Sequence, residues 1–332
     1  MKTTPIGLWV LAAAMTACSS NASYAGSAAP AAATQAAHRS SQSCRKSIVY
    51  VSSAQKGTVE IFDRDNLKKG PCGEITGLQA PQGLFVDSKG NLWVADSATQ
   101  RVYVFAPGSV GAIKTLVDPD GWPGAVTVDE NSNTVYVTEV KNDFDATNLV
   151  QVYQHGSTTP TSALGDPTAR TGGYAAVDTS GNLYVTFMTQ SNTAQVDEWR
   201  MGSGAPKKLG LQLVSAGAIV TTQTGALAVC DPFGYRCGQF APGSRKMTHV
   251  FGHLGRGVPP GIPNKRDFLM PQALALCGSE NRAYVVAETL SGWRYPAPPH
   301  GANRKPFVEV QVPGLAGNGV AVGPASPPGK PY

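Results

Sequence analysis

The sequence predicts an all-β protein, a six-bladed β-propeller whose ring is closed by strands from both ends of the chain. Three observations predict this fold: a repeated unit of short strands and tight turns, an aromatic column that returns at blade spacing, and termini that complement each other. The chain also has almost no helical periodicity, which argues against the α and α/β classes.

The clearest copy of the repeat is PQGLFVDSKGNLWVADSATQRVYVFAPGS, residues 81–109. Two apolar runs, LFV and LWVA, flank the turn DSKGN, and RVYVF then alternates with period two. Such runs predict a hairpin followed by a third strand with one buried face. The same order returns from Pro123, Gly172 and Ser215, and in a more divergent form from Pro271.

Alignment of the second strands of these copies places six residues in one column. Subtraction of their numbers gives spacings of 43 to 56 positions for Tyr50, Trp93, Tyr136, Tyr184, Ala228 and Tyr284. Four short strands with their turns consume about forty residues, so each spacing corresponds to one propeller blade. The column therefore predicts six blades.

Each end of the repeated region supplies the strands of a blade that the other end lacks. GNGVAVG, residues 317–323, resembles a first strand with no second strand after it. KSIVYVSS and GTVEIFDRD, near the other end, resemble second and third strands without a first. We expect these segments to pair in one blade, which closes the ring and leaves neither end as an exposed sheet edge.

The motif P-x-G-x-x-V-D, followed by G-N-L-W-V-A-D and R-V-x-V-F, resembles the NHL repeat, a propeller family, over roughly residues 47–323. The phrase FAPGS occurs twice and is echoed by QHGS and RMGS. In this respect the chain is similar to exported bacterial proteins built from such repeats. The resemblance implies a propeller, and most of those proteins have no assigned activity.

Residues 1–18 are predicted to be a signal peptide with a lipobox. Lys2 precedes an apolar run that is too short to span a bilayer, and small residues stand directly before Cys18. We therefore expect Cys18 to be lipidated and the protein to be exported to the cell envelope, with its lipid as the sole membrane contact. The alternative is cleavage after Ala25, which would release a soluble secreted protein.

The remaining chain divides by composition. Residues 19–43 are rich in Ala, Ser and Gln and predict a flexible tether, residues 44–323 form the propeller, and residues 324–332 form a Pro-rich tail. The formal net charge is only +5 and no basic stripe is present, which argues against nucleic-acid binding. We expect a monomer.

Export makes disulfides feasible, and the mature chain keeps an odd set of cysteines: Cys44, Cys72, Cys230, Cys237 and Cys277. One thiol should therefore remain free. Cys230 and Cys237 flank DPFGY at a predicted hairpin end, which favours a local bridge between them. The pairing of the other three cannot be assigned from sequence.

In a four-stranded meander, the loops that lead into the first strand and those that leave the second lie at the same end. We call this end of the propeller the upper face. The loops there carry amides, aromatics and carboxylates suited to hydrogen bonding and stacking. The candidate ligand-binding residues on this face are Gln82, Asp96, Trp122, Glu139, Tyr174, Asp231, Gln272 and Asn318.

The acidic residues allow two interpretations. Asp87, Asp129 and Asp178 end first strands and are predicted to bind the turns that follow. Asp96 and Asp231 each precede an arginine by five residues, which favours a hairpin ion pair near the surface. Alternatively, Asp96, Glu139 and Asp231 form an acidic arc around the upper mouth.

These features predict a binding protein more readily than an enzyme. The expected ligand is a protein, peptide or glycan at one mouth of the ring, with no cofactor; a calcium ion in the channel remains open. The alternative is a metal-dependent hydrolase or lyase of the gluconolactonase-like or amidating-lyase-like type. It would use Asp96, Glu139 and Asp231 with Gln82, Gln272 or Asn318. The sequence contains no nucleophile elbow and no phosphate loop.

Overall fold

A computed structural model gives the fold of the chain. It describes residues 44, 47–119, 121–140, 148–252, 271–277, 282–287, 289–295, 306–311 and 317–323. The predicted signal peptide with Cys18, the predicted tether and the Pro-rich tail lie outside the described residues.

The described strands form six antiparallel sheets of four strands each, which confirms the predicted six-bladed propeller. The strands of the first three blades, in spatial order from the channel outward, are as follows: blade 1, β24 (Gly317–Gly323), β1 (Ile48–Ser53), β2 (Thr58–Asp63), β3 (Pro71–Ile75); blade 2, β4 (Pro81–Val86), β5 (Leu92–Asp96), β6 (Arg101–Phe105), β7 (Ala112–Val117); blade 3, β8 (Pro123–Asp129), β9 (Thr134–Glu139), β10 (Val150–Tyr153), β11 (Ser162–Leu164).

The other three blades repeat the same order. Their strands are as follows: blade 4, β12 (Ala169–Val177), β13 (Leu183–Thr189), β14 (Ala194–Trp199), β15 (Lys207–Lys208); blade 5, β16 (Ile219–Thr221), β17 (Leu227–Asp231), β18 (Arg236–Phe240), β19 (Thr248–Gly252); blade 6, β20 (Ala273–Cys277), β21 (Arg282–Val286), β22 (Thr289–Arg294), β23 (Val308–Gln311).

The ring closes in blade 1, as the complementary ends predict. The last strand, β24, pairs antiparallel with β1, and the register places Val322 opposite Val49 and Val320 opposite Val51. Val320 and Val322 are buried in the cluster that joins blade 1 to blade 6. The C-terminal strand therefore contributes both a hydrogen-bonded sheet partner and core side chains.

The aspartates that end the first strands hold the turns that follow them. Asp87 accepts hydrogen bonds from the amides of Lys89 and Asn91 and from the indole N–H of Trp93. Asp178 repeats the pattern through the hydroxyl of Tyr184. Each of these two carboxylates thus ties its turn to the residue of the aromatic column in its own blade, which confirms the predicted turn role.

Second-strand hydroxyls fasten each of three blades to the next. Ser52 Oγ donates to the carbonyl of Gln82 at 2.6 Å, Thr138 Oγ1 to that of Gly173 at 2.6 Å, and Thr186 Oγ1 to that of Gly217 at 2.8 Å. These three hydroxyl-bearing residues all stand two positions after the aromatic column. The bonds fix the upper ends of the inner strands against the preceding blades.

The cysteines form two disulfides. Cys230 pairs with Cys237 across the end of the β17–β18 hairpin, as predicted, and Cys44 pairs with Cys72. Cys277 keeps its thiol, which is buried and accepts a hydrogen bond from Arg64 Nη1 at 3.2 Å, and this agrees with the expected single unbridged cysteine. Among the residues that the structure describes, no helix is long and apolar enough to cross a bilayer.

Candidate functional site

Asp231 ends the second strand of blade 5 and holds the upper loops of that blade. Its carboxylate accepts hydrogen bonds from the amides of Val214, Ser215 and Gly234 at 2.9–3.2 Å, and it pairs with Arg236 at 3.2 Å. The residue is fully buried. A buried carboxylate with this many donors acts as a rigid clamp, because moving the loop would leave the charge unsatisfied.

The equivalent carboxylates of blades 2 and 3 do the same. Asp96, also fully buried, accepts from the amides of Gln79 and Ala80 at 2.9 and 2.8 Å. Glu139 accepts from the amide of Trp122 at 2.6 Å and is 1% exposed. All three acids therefore hold the loop that leads into the first strand of their own blade, and we call them the clamp carboxylates.

The predicted ion pairs have different outcomes. Asp231 pairs with Arg236, as the spacing favours. Within the described part of the chain, no ion pair joins Asp96 to Arg101, although the two residues face each other across the hairpin. The expectation that these acids lie near the surface was wrong: backbone amides of the overlying loop, which leave no side-chain pattern in the sequence, enclose them.

The clamped loops display large apolar side chains on the upper face. Trp122, beside the Glu139 clamp, is 41% exposed, and Val214, beside the Asp231 clamp, is 56% exposed. Phe233 is 39% exposed, and its amide donates to Ser215 Oγ at 2.8 Å. Sequence reasoning identified Trp122 but missed Val214 and Phe233, because nothing in the repeat indicates that these two apolar residues face solvent.

The other predicted residues of this face occupy different settings. Gln82 is half-buried, and its side-chain amide donates to Ser97 Oγ at 3.3 Å. Gln272 is half-buried beside the start of β20, and Asn318 lies in β24. Tyr174 lines the channel cavity and packs against the buried clusters of blades 4, 5 and 6, and burial raises the pKa of its phenol. Ligand contact by each of these residues stays a prediction.

A cavity of about 390 Å³ occupies the channel between the inner strands. On the upper side, its lining begins at Gly83, Ala125, Tyr174, Ala218, Ala273 and Gly319. It then follows the inner strands to the turns at the opposite end. Of the eight predicted ligand-binding residues, Tyr174 lines this cavity.

The described residues contain no group of three or more His, Cys, Asp or Glu side chains arranged to hold a metal ion. The clamp carboxylates sit in separate blades, and loop amides surround each of them. These contacts define a positioning role for the acids on the upper face. The channel calcium ion remains untested.

Blade 4 contains a second kind of carboxylate site, in which two buried acids interact. Asp197 on β14 is fully buried, and burial together with the nearby Asp166 raises its pKa to about 7. For Asp166, burial acts in the same direction, but hydrogen bonds from Thr168 and the charge of Lys208 keep its pKa below the ordinary value. Lys208 Nζ lies 3.4 Å from Asp166.

The raised pKa of Asp197 predicts that the free energy of unfolding falls as pH rises. An unfolded Asp titrates near pH 4, so between about pH 4 and 7 the folded chain keeps a proton on Asp197 that the unfolded chain has lost. That stabilisation is therefore lost as pH rises towards 7. The variant Asp197→Asn keeps the shape and removes the charge, and it should be more stable than wild type at pH 8 by on the order of 2 kcal/mol.

Denaturant unfolding of both proteins between pH 5 and 8 checks this expectation. The wild-type free energy of unfolding should decline across the range relative to that of Asp197→Asn, and the difference should be smallest at pH 5, the end of the range closest to the unfolded pKa near 4. Parallel curves would show that Asp197 keeps an ordinary pKa in the folded protein.

Comparison with known proteins identifies the fold and no family. No family model and no curated protein matches the chain. A chain of a nidogen/laminin complex is 14% identical, with a TM-score of 0.64, over 84% of this chain and 99% of that one. The calcium-binding protein regucalcin from Agrobacterium tumefaciens is 12% identical, with a TM-score of 0.50, over 72% and 76%.

A streptogramin B lyase is 13% identical over 70% of this chain and 69% of that one, with a TM-score of 0.48. Identities this low carry fold information only. The six-bladed β-propeller seen in the sheet topology is thus similar in fold to the nidogen/laminin and regucalcin structures.

Proposed function

We propose that the protein is an exported, membrane-tethered binding module that recognises a protein or peptide on its upper face. The observation that carries this proposal is the pairing of buried clamp carboxylates with exposed apolar side chains. Glu139 fixes the loop of Trp122, and Asp231 fixes the loop of Val214. Four of the seven exposed large hydrophobics among the described residues lie on this face: Val117, Trp122, Val214 and Phe233.

Rigid display matters because association costs the conformational freedom of the groups that it orders. A loop that is already fixed loses little more entropy when a partner binds, so its apolar contacts translate into affinity. Trp is among the side chains most enriched at positions that dominate binding energy, and Phe is enriched at interfaces, so Trp122 and Phe233 are suitable anchors. The clamp carboxylates position these anchors and need not contact the ligand.

The same carboxylates weigh against the hydrolase alternative. A metal-dependent propeller needs acidic oxygens that converge on one ion. In this chain, the oxygens of Asp96, Glu139 and Asp231 accept hydrogen bonds from the amides of their own loops. We therefore retain recognition as the function.

Membrane tethering through Cys18 is part of the proposal. The two disulfides are of the kind found in exported proteins, and the predicted signal peptide supplies the lipidation cysteine. Mass spectrometry of the mature N-terminus tests it: a diacylated Cys18 supports the tether, and an unmodified terminus at Gly26 contradicts it.

Selection from a peptide display library tests recognition. Peptides enriched on the purified propeller should lose at least tenfold in affinity for the double variant Trp122→Ser and Phe233→Ser. The matched control, Ile113→Ser with Met201→Ser, removes two apolar side chains that are 61% and 77% exposed on the opposite face. This control should bind like wild type.

Two outcomes would reject this role for the upper face. One is the absence of any enrichment on the wild-type propeller. The other is enrichment of peptides whose affinity is unchanged by the upper double variant. If the wild-type propeller bound glycans on an array and the same double variant did not, the ligand of the upper face would be a glycan and not a peptide.

A further inference from the structure

We propose that the channel cavity is a second binding site, which opens on the lower face and takes a small organic cation with an apolar body. The lower face is the end of the propeller where the first strand turns into the second. The cavity volume, about 390 Å³, lies in the range of small-molecule sites. This site is separate from the proposed recognition surface and does not depend on it.

At the upper end of the channel, inner strands of neighbouring blades approach each other closely. A Cβ placed on Gly319 would lie 2.2 Å from the carbonyl oxygen of Gln82, and one on Gly83 would lie 2.6 Å from Ala125 Cα. The inner strands of blades 1, 2 and 3 therefore touch through backbone where the cavity begins. Because any side chain at these glycines would clash, the close approach at this end depends on glycine.

The channel wall combines backbone polar groups with apolar side chains. Each inner strand is the edge of its sheet, so one row of its N–H and C=O groups faces the channel without a sheet partner. Between these rows lie apolar side chains, including Leu84, Val126 and Val220, and the ring of Tyr174 lies towards the upper end. Such a wall suits an apolar body that carries a hydrogen-bonding group.

The lower rim is polar and carries negative charge. Ser88, Asn131, Thr179 and Thr222 supply hydroxyls and an amide, and Asp129, Glu130 and Asp178 supply carboxylates. No lysine or arginine is among the described residues that line the cavity. The electrostatic potential of this opening therefore favours a cation and opposes an anion.

Glu130 is the carboxylate best placed to face a ligand. It belongs to blade 3, but it accepts hydrogen bonds from the amide of Ser88 in blade 2, at 2.8 Å, and from the Ser88 hydroxyl. These bonds hold it at the rim between two blades. Its two oxygens offer about four acceptor positions, so capacity for a ligand N–H remains.

Asp129 and Asp178 differ from Glu130 because their oxygens bind the turns that follow them. Asp129 accepts from the amide of Asn131 and the hydroxyl of Ser132, and Asp178 accepts from Ser180 and Asn182. They contribute charge to the rim without being free to move. We therefore assign direct contact with the cationic group of the ligand to Glu130. Asp129 and Asp178 contribute to the negative electrostatic potential at the rim.

Three probes with the same phenyl group and similar size test the charge preference: 2-phenylethylammonium, 2-phenylethanol and phenylacetate. They are titrated into the propeller and followed by ligand-observed NMR. The ammonium compound should bind more tightly than the alcohol, and phenylacetate should bind most weakly. Glu130→Gln should weaken the ammonium compound by about fivefold and leave the alcohol unchanged. The variant keeps an oxygen for the Ser88 amide, so its melting temperature should match wild type.

The upper double variant, Trp122→Ser with Phe233→Ser, serves as the control for location and should bind the ammonium compound like wild type. A loss in that variant would place the site on the upper face and overturn the proposal. Equal affinity for all three probes, no binding at millimolar concentration, or an ammonium affinity unaffected by Glu130→Gln would overturn it as well. So would a channel that binds calcium alone and ignores the ammonium probe.

Discussion

Deletion of residues 314–332 should abolish cooperative unfolding of the propeller, whereas deletion of residues 324–332 should leave the melting curve unchanged. The longer deletion removes β24, which pairs with β1 along Ile48–Ser53. It also removes Val320 and Val322 from the cluster between blades 1 and 6. The loss exposes the edge of β1 and a buried apolar surface together, and each is costly.

Differential scanning calorimetry of the two truncations beside the full chain gives the answer. The shorter deletion is the matched control, because it removes only the Pro-rich tail and leaves β24 intact. Equal, wild-type-like transitions for both truncations would contradict ring closure. They would also contradict the six-blade count, because the remaining blades would then form a closed ring without β24.

Replacement of Asp231 by alanine should lower the free energy of unfolding by about 3 kcal/mol. The substitution leaves the amides of Val214, Ser215 and Gly234 without their acceptor and leaves Arg236 without its partner. Asp231→Asn should cost less, because the amide keeps one oxygen acceptor. Urea unfolding measures both values.

Asp65→Ala is the control for this series, because Asp65 is an exposed carboxylate on the same propeller. Its free energy of unfolding should stay within about 0.5 kcal/mol of wild type. If Asp231→Ala were as mild as Asp65→Ala, the loop amides would be satisfied by water, and Asp231 would not be a clamp.

Most of the fold could be predicted because the same pattern of strands and turns recurs in successive segments of the sequence. The column from Tyr50 to Tyr284 is aromatic in five of the six second strands, and the hydrogen bond from Trp93 to Asp87 shows how a first-strand aspartate accompanies it in blade 2. Ring closure was predictable from two unmatched strands. The Cys230–Cys237 bridge was predictable from its hairpin.

The site was less predictable because its contacts are between side chain and backbone. When a carboxylate accepts a hydrogen bond from a loop amide, as Glu139 does from Trp122, the residue type of the donor is not constrained and the sequence gives no sign of the pair. Its recurrence three positions after the aromatic column, as Asp96, Glu139 and Asp231, was visible and indicated a shared role. Ser52, Thr138 and Thr186 also recur at one position of the repeat, but their acceptors are backbone carbonyls of the next blade, which the sequence does not reveal.

Exposure was the other property that the sequence does not encode directly. Val214 and Phe233 stand in segments that resemble ordinary strand boundaries, yet both are exposed on backbone that Asp231 and Ser215 hold by hydrogen bonds. The lower rim was missed for a related reason. Ser88 and Glu130 are 42 positions apart, and ring geometry alone brings these two turns together.

Hydrogen–deuterium exchange of the wild-type propeller tests most directly whether the clamp carboxylates hold the upper loops as a fixed recognition surface. The amides of Trp122, Val214 and Ser215 donate to buried carboxylates, so they should exchange as slowly as strand amides although they lie in loops. The amide of Gly204, in an exposed turn, should exchange at once. Exchange of Trp122, Val214 and Ser215 at the rate of Gly204 would contradict the account.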